Sequence, residues 1–328
     1  MANDIIQHLS ILDMAPVDPG TSPKNALINS IVLARKAEEL GYTRFWVTEH
    51  HNIPSVASAS PELLIGQIAA NTQRIRVGSG GVMLPNHSPL KVAENFKLLE
   101  TFYPKRIDLG VGRAPGTDGR TAFALRRLMD SSKTDDLQGL LHELRGYESG
   151  AEIIAVPTDA SLPPLWILGS SAYSAQLAAL EAANYSFAYN FNPVGAKEAI
   201  SLYQRLYLMN HGVPAPSIIL GLSVIGGETE KEVEYQKNRV SLKYLSGLGY
   251  FKETDISEAR EIQIPNKLLH MAQSYLSTQV IGTWHELKGK LDFLTEQFDV
   301  KELIISTVQE GFDTRLKLFE KLAEAYRI

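Results

Sequence analysis

Eight short runs rich in β-branched and aromatic residues recur along this chain, separated by stretches of helical periodicity. The runs are Leu9–Asp13, Arg44–Thr48, Ile75–Leu84, Arg106–Gly112, Leu165–Gly169, Ser186–Tyr189, Ile218–Ile225 and Glu302–Ser306. Strands alternating with helices imply parallel βαβ units. Eight such units point to a closed (β/α)8 barrel, the TIM-barrel architecture, rather than an open doubly wound sheet. The length of 328 residues lies within the range of one such barrel. The expectation is an α/β fold in a single barrel domain over residues 1–328, with insertions on its loops.

The intervening helices carry their own signals. In "TSPKNALINSIVLARKAEELGY", Ser22 can cap the first turn and Pro23 occupies a position that needs no N–H. Ala26, Leu27, Ile31, Ala34, Ala37 and Leu40 then share one stripe, and Gly41 suits the C-terminal end. Pro61–Asn71, Leu90–Phe102, Tyr173–Ala183, Val194–Asn210, Thr229–Leu242 and Asp313–Tyr326 read in the same way. Two segments depart from the repeat. Residues 114–164 exceed one helix, with Arg120–Tyr147 helical and the remainder an inserted turn or hairpin. Residues 244–265 form a mixed, Gly-punctuated segment, either a lid over the active site or a surface helical insertion.

Composition narrows the chemistry. A net charge of −5 gives no electrostatic reason to expect nucleic acid or an anionic membrane. Zero cysteines exclude disulfides, thiolate nucleophiles and Cys-ligated zinc. The start, MANDIIQHLS, lacks the basic and apolar regions of a signal peptide, and no apolar run is long enough to span a bilayer. A soluble, cytoplasmic protein is expected.

Barrel chemistry collects at the C-terminal ends of the strands, where the loops converge. The second strand ends in Glu49-His50-His51. Alternation along a strand sends His50 opposite to Glu49 and His51, which argues against a three-ligand metal site. A histidine near its ordinary pKa of about 6.5 suits general-base work instead. The third strand, "IRVGSGGVMLPNHSP", carries Gly80-Gly81, which marks either a bulge or a place where a flat ligand lies on the main chain. The fourth, "RIDLGVGRAPGTDGR", ends at Arg113, suited to a phosphate or to a structural ion pair. Neither Gly110–Pro115 nor Gly78–Met83 completes a dinucleotide fingerprint, since Pro115 and Met83 stand where the last glycine belongs, and no P-loop is present. The fifth, "LWILGSSAYSAQLAA", opens a helix with Ser170, Ser171 and Ser174, hydroxyls that can bind an anion or simply cap the helix.

Together, "WVTEHHN", "VGSGGVMLP", "AENFKLLE", "GVGRAPGTDGR" and "LGSSAYSAQLAA" resemble the bacterial luciferase-like monooxygenases, and within them the flavin-dependent oxidoreductases of luciferase family group 1. The resemblance spans nearly the whole chain. It implies an eight-stranded barrel that binds FMN at the strand C-termini, with His50 as the catalytic histidine and Glu49 as its neighbouring active-site carboxylate. Gly80-Gly81 falls where the family has a cis, non-proline peptide behind the isoalloxazine ring. Arg113, Ser171 and Ser174 match positions that hold the flavin phosphate. Glu94 matches a buried carboxylate near the flavin, with helix-face ion pairing as its plain alternative. Three departures make light emission an unsuitable expectation: Ser170 stands for an acidic residue, Gly112 for a reactive cysteine, and the long mobile loop of luciferase has no counterpart in residues 244–265.

The implied activity is a two-component monooxygenase. Reduced FMN would come from a separate NAD(P)H:flavin reductase, and dioxygen would oxidise a small organic substrate such as an aldehyde. The cofactor supplies the difficult chemistry, while the protein holds it, excludes water and moves a proton through His50. The resemblance also implies a homodimer, with the early helices as a possible surface. Two alternatives share the barrel: hydride transfer with a deazaflavin coenzyme, and a non-catalytic flavin-binding protein. Storage needs no base, so Glu49-His50-His51 argues against the latter.

Overall fold

The computed structural model describes residues 6–126, 136–148, 152–252 and 262–328. Within them ten strands run in chain order: β1 (His8–Asp13), β2 (Arg44–Val47), β3 (Arg76–Ser79), β4 (Val82–Met83), β5 (Ile107–Gly112), β6 (Leu165–Gly169), β7 (Asn184–Ala188), β8 (Ile218–Gly227), β9 (Val280–Thr283) and β10 (Glu302–Ser306). All strand pairings are parallel, and β10 pairs with both β1 and β8, so eight strands close into a barrel in the order β1-β2-β3-β5-β6-β7-β8-β10. The expected fold is present. The expected third strand, however, is broken by Gly80-Gly81 into β3 and the short β4, which pairs with β5 at Val82–Val111 and Met83–Gly112.

The helices α1 (Pro23–Glu39), α2 (Pro61–Ala70) and α3 (Pro89–Phe102) cover the first strands. Ser22 caps α1 through the Asn25 N–H at 3.2 Å, as its position in the sequence suggests, and Gly41 takes φ +90° just past its end. The segment at 114–164 holds α4 (Gly119–Arg126) and α5 (Leu137–Gly146), the latter docking Leu137, Leu141 and Leu144 into the core. The sequence reading of one helix over Arg120–Tyr147 runs through residues 127–135, outside the described ones. No strand hairpin occurs among the described residues of this segment.

Beyond it come α6 (Ala172–Leu180), α7 (Ala196–His211) and α8 (Glu230–Gly247), then α9 (Asn266–Leu276), α10 (Trp284–Phe298) and α11 (Phe312–Tyr326). The segment at 244–265, part of which lies outside the described residues, joins α8 to α9. These helices share a small apolar core of their own: Leu245, Leu268 and Ala272, flanked by Tyr244, Phe251 and Met271. Tyr244 stacks on Tyr275 at 4.2 Å, nearly coplanar. The sequence reading did not find α9, β9 or α10. β8 runs past the barrel, and β9 pairs with its last four residues, Val224–Gly227.

Side chains alternate between two environments. Phe45, Val47, Val77, Leu109, Ile167 and Leu220 belong to the large core between barrel and helices, whereas Trp46, Trp166, Ile219 and Ile304, with Leu12 and Leu168, pack separately inside the barrel. Trp46 and Trp166 meet edge to face at 5.4 Å. Gly78 makes room for this interior: a Cβ there would lie 2.8 Å from Trp46 Nε1 and 2.7 Å from Asp108 O. The end of the barrel at the strand starts is closed by charge. Asp108 accepts from Trp46 Nε1 (3.1 Å), Arg44 Nη1 (2.9 Å) and Arg76 Nε (3.1 Å). Glu302 accepts from Ser10 (2.7 Å) and Arg44 Nε (2.7 Å). Paired and hydrogen-bonded in this way, the buried charges avoid the large cost of isolation. The opposite end is left as the mouth.

Candidate functional site

The residues after β2 keep the strand's alternation. Trp46 points into the barrel, and Thr48 and His50 share its parity; Val47 points toward the helices, and Glu49 and His51 share that parity. Each pair is joined by a hydrogen bond. Thr48 Oγ1 and His50 Nδ1 lie 3.0 Å apart, and His51 Nε2 lies 2.8 Å from Glu49 Oε1. The His50 main-chain N–H donates to Ser58 O at 2.9 Å, and the Ser58 hydroxyl donates to Thr48 O. His50 Nε2 has no partner among the described residues, and in the tautomer whose Nδ1–H donates to Thr48 Oγ1 it presents a lone pair. Burial lowers the pKa of His50 below its ordinary value; the Glu49 charge offsets part of this and His51 adds to it. His50 is therefore a neutral, half-buried imidazole on the inward face at the mouth.

Glu49, expected beside it as a partner, is fully buried and turned away. Its Oε1 accepts from His51 Nε2 and His87 Nε2, both at 2.8 Å, and from Asn86 Nδ2 at 3.3 Å; its Oε2 accepts from the Met83 N–H at 2.8 Å. Burial alone would raise the pKa of this carboxyl, but the two imidazoles and the Met83 N–H outweigh it and lower it. The alternation argument against a cluster of three ligand-type groups holds for His50 only. Glu49, His51 and His87 bring such atoms within 4.8 Å of one another. They form a hydrogen-bonded set, one carboxylate oxygen accepting from both rings.

His87 and Asn86 were missed by the sequence reading. The available signal was an imidazole following a Gly- and Pro-punctuated strand end in "SGGVMLPNHSP". Asn86 carries the network onward, donating to Pro115 O (3.0 Å) and accepting from Arg126 Nε (2.9 Å). His51 N–H donates to Gly116 O (3.2 Å), and Thr117 Oγ1 donates to His51 O (2.7 Å). Gly116 has φ +65°, and a Cβ there would lie 2.8 Å from Glu49 O, so glycine is required.

The other expected residues occupy the same arc. The Gly80–Gly81 peptide, between β3 and β4, is cis. Arg113 follows β5; its exposed guanidinium lies 4.8 Å over the Tyr173 ring and has no carboxylate partner among the described residues. Tyr173 belongs to the first turn of α6, and Ser171 is its exposed N-cap. Ser174 is placed differently from expectation. It is buried, donates to Ser171 O at 2.8 Å and shares a 3.1 Å hydrogen bond with Tyr185 OH. Its hydroxyl supports the helix start from below, because the first turn of α6 rotates residue 174 toward β7. Glu94 is not fully buried: its side chain is 26% exposed and lies 3.6 Å from Lys91 Nζ, the helix-face ion pair. Three residues apart on α3, the two side chains are neighbours on one helix face.

This chain matches a family model described as luciferase-like monooxygenase over residues 8–292. An Escherichia coli (strain K12) protein named luciferase-like monooxygenase is 35% identical over 317 residues, covering 95% of this chain and 94% of its own. The N-acetyl-S-alkylcysteine monooxygenase of Bacillus subtilis (strain 168) is 33% identical over 332 residues, covering 97% and 98%. Among solved structures, apo-MsnO8 superposes with a TM-score of 0.86 at 34% identity, over 99% of each chain. At 16% identity a 3,6-diketocamphane monooxygenase constituent in complex with FMN shares the fold (TM-score 0.73, 97% and 96% covered). So does an F420-dependent secondary alcohol dehydrogenase at 13% identity (TM-score 0.69, 98% and 100% covered). A closed barrel, a mouth assembled from consecutive strands, and relatives a third identical along almost their full length agree: the chain belongs to the luciferase-like monooxygenases.

Proposed function

We propose that this protein is the oxygenase of a two-component system that takes reduced FMN and dioxygen to oxidise a small organic substrate. The observation that carries this reading is the arc of four strand ends in which a neutral imidazole, His50, and a cation without a carboxylate partner among the described residues, Arg113, flank the Gly80–Gly81 peptide. The donor set suits FMN. Arg113, stacked on Tyr173, and the first turn of α6 with the Ser171 hydroxyl would hold a phosphate, where charge-assisted hydrogen bonds and free N–H groups favour an anion. Gly80 and Gly81 would back the ring. Bound there, reduced flavin supplies the capacity to activate dioxygen.

The chain's own part is positional and protonic. His50 Nε2, unprotonated at neutral pH, can take a proton at the mouth and return it, with Thr48 holding the ring orientation. The charged plug at the other end of the barrel confines access to the mouth. The absence of a dinucleotide fingerprint supports a separate NAD(P)H:flavin reductase as the source of reduced cofactor. Exposed apolar side chains on α1–α3 (Ile28, Val32, Leu63, Leu98 and Phe102) support a homodimer through these helices. An aldehyde remains the first substrate to test, and the Bacillus subtilis relative adds S-alkylated N-acetylcysteines to the panel.

The decisive experiment is a fluorescence titration of wild type and Arg113→Ala with FMN, riboflavin and coenzyme F420. FMN affinity should fall about 10- to 100-fold in the variant, the loss of one charge-assisted contact, while riboflavin affinity stays within twofold. Equal losses for both would refute the phosphate role, and tight F420 binding with none of FMN would replace oxygenation by hydride transfer.

A further inference from the structure

The reading of His50 as the proton-handling group leaves unexplained why a fully buried carboxylate stands next to it in sequence and does not touch it. Glu49 faces the helical layer, and its two oxygens are filled by four donors: His51 from its own loop, Met83 of β4, and Asn86 and His87 from the turn that follows. Asn86 also holds Pro115 O, in the loop after β5, and His51 holds Gly116 O in the same loop. Three loops thus converge on one anion. One of them carries His50, and another follows β4, the short strand that starts directly after the Gly80–Gly81 peptide.

We propose that His87 is a positioning residue: through Glu49 it locks the loops after β2, β4 and β5 into one frame that sets where His50 and the Gly80–Gly81 peptide stand. This rests on the proposed role of His50. Burial opposes a charge on His87, but the hydrogen bond and charge of Glu49, with Glu62 of α2 beyond, outweigh it and raise its pKa above the ordinary value. The groups around it are Glu49 and His51 from the β2 loop, Glu62 from α2, and Arg126 from α4 acting through Asn86; Lys91 and Glu94 on the following helix pair with each other. The frame is reinforced by the charge on His87 below its pKa, although the neutral Nε2–H still donates above it, and the base is neutral above the depressed pKa of His50. Both conditions hold only in a pH window that brackets about 6.5.

The test uses the full-length protein with His87→Gln, whose amide can donate in place of Nε2 without a proton equilibrium, and His87→Ala. By hydrogen-exchange mass spectrometry without flavin, segments 49–58 and 80–87 should exchange at least tenfold faster in His87→Ala and close to wild type in His87→Gln. The pH profile of kcat/KM for reduced FMN with an aldehyde should keep its acid limb in His87→Gln and lose its alkaline limb. Unchanged exchange in both variants overturns the proposal whether or not FMN binds, as does an alkaline limb that survives in His87→Gln. Wild-type protein that neither binds FMN nor turns over removes the functional reading instead, while the exchange measurement still judges the frame.

Discussion

Replacing Glu49 by glutamine keeps the shape of the side chain but removes its charge and converts one acceptor into a donor. If the amide oxygen takes the place of Oε1, it still receives His51, His87 and Asn86, and the new NH2 faces the Met83 N–H that Oε2 held at 2.8 Å. One charge-assisted hydrogen bond becomes a donor–donor contact, and the three others, from His51, His87 and Asn86, lose the charge on their acceptor. At about 1.5–3 kcal/mol for a hydrogen bond to a charged group, and with no water at a fully buried position to replace it, the loss should be about 2–4 kcal/mol. The opposite amide orientation costs more, since two imidazoles then face the NH2.

The assay is urea unfolding followed by fluorescence, since Trp46 and Trp166 are buried inside the barrel. Its pH dependence separates the electrostatic part. The folded pKa of Glu49 is depressed, so its stabilisation is present above the unfolded value and lost as pH falls through the folded one. The folded pKa of His87 is raised, so its stabilisation is complete below about 6.5 and is lost as pH rises through the folded value. Wild type should lose stability on both sides, and both slopes should be shallower in Glu49→Gln, where Asp18 and Glu38 still contribute to the acid side. A variant within about 0.5 kcal/mol of wild type at pH 7, with both slopes intact, would refute the role of Glu49 as an ionised hub.

Two further outcomes follow from the geometry. His50→Ala should retain FMN affinity within a few-fold while its turnover falls about 10²- to 10⁴-fold, the usual contribution of a positioned acid–base group; turnover within twofold in a coupled oxidation assay removes His50 from the mechanism. Gly78→Ala should lower stability by about 1–3 kcal/mol through overpacking, because its methyl would meet Asp108 O at 2.7 Å and Trp46 Nε1 at 2.8 Å; an unchanged urea midpoint would contradict that packing.

The barrel itself is legible from the chain because its signals are local. Runs rich in β-branched and aromatic residues and capped amphipathic helices are written within windows of five to twenty residues, and the Ser22 cap and the opposed directions of Glu49 and His50 follow from nearest-neighbour geometry. β9 and α10 carried a usable local sign, the Thr283–Glu286 capping box, in which Glu286 Oε2 accepts the Thr283 N–H at 2.9 Å. A four-residue strand that pairs only with the overrun of β8 falls outside an eight-unit count.

What the sequence alone determined is therefore the fold class and the opposed directions of Glu49 and His50. Tertiary structure alone decided the partners. His87 stands 38 residues from Glu49, and the hydrogen bond between them exists because adjacent barrel strands bring their loops together. Ser174 is turned under α6 by Tyr185 of the next strand. A hydrogen bond between loops depends on strand register and barrel closure, and these are properties of the whole chain that no window of it contains.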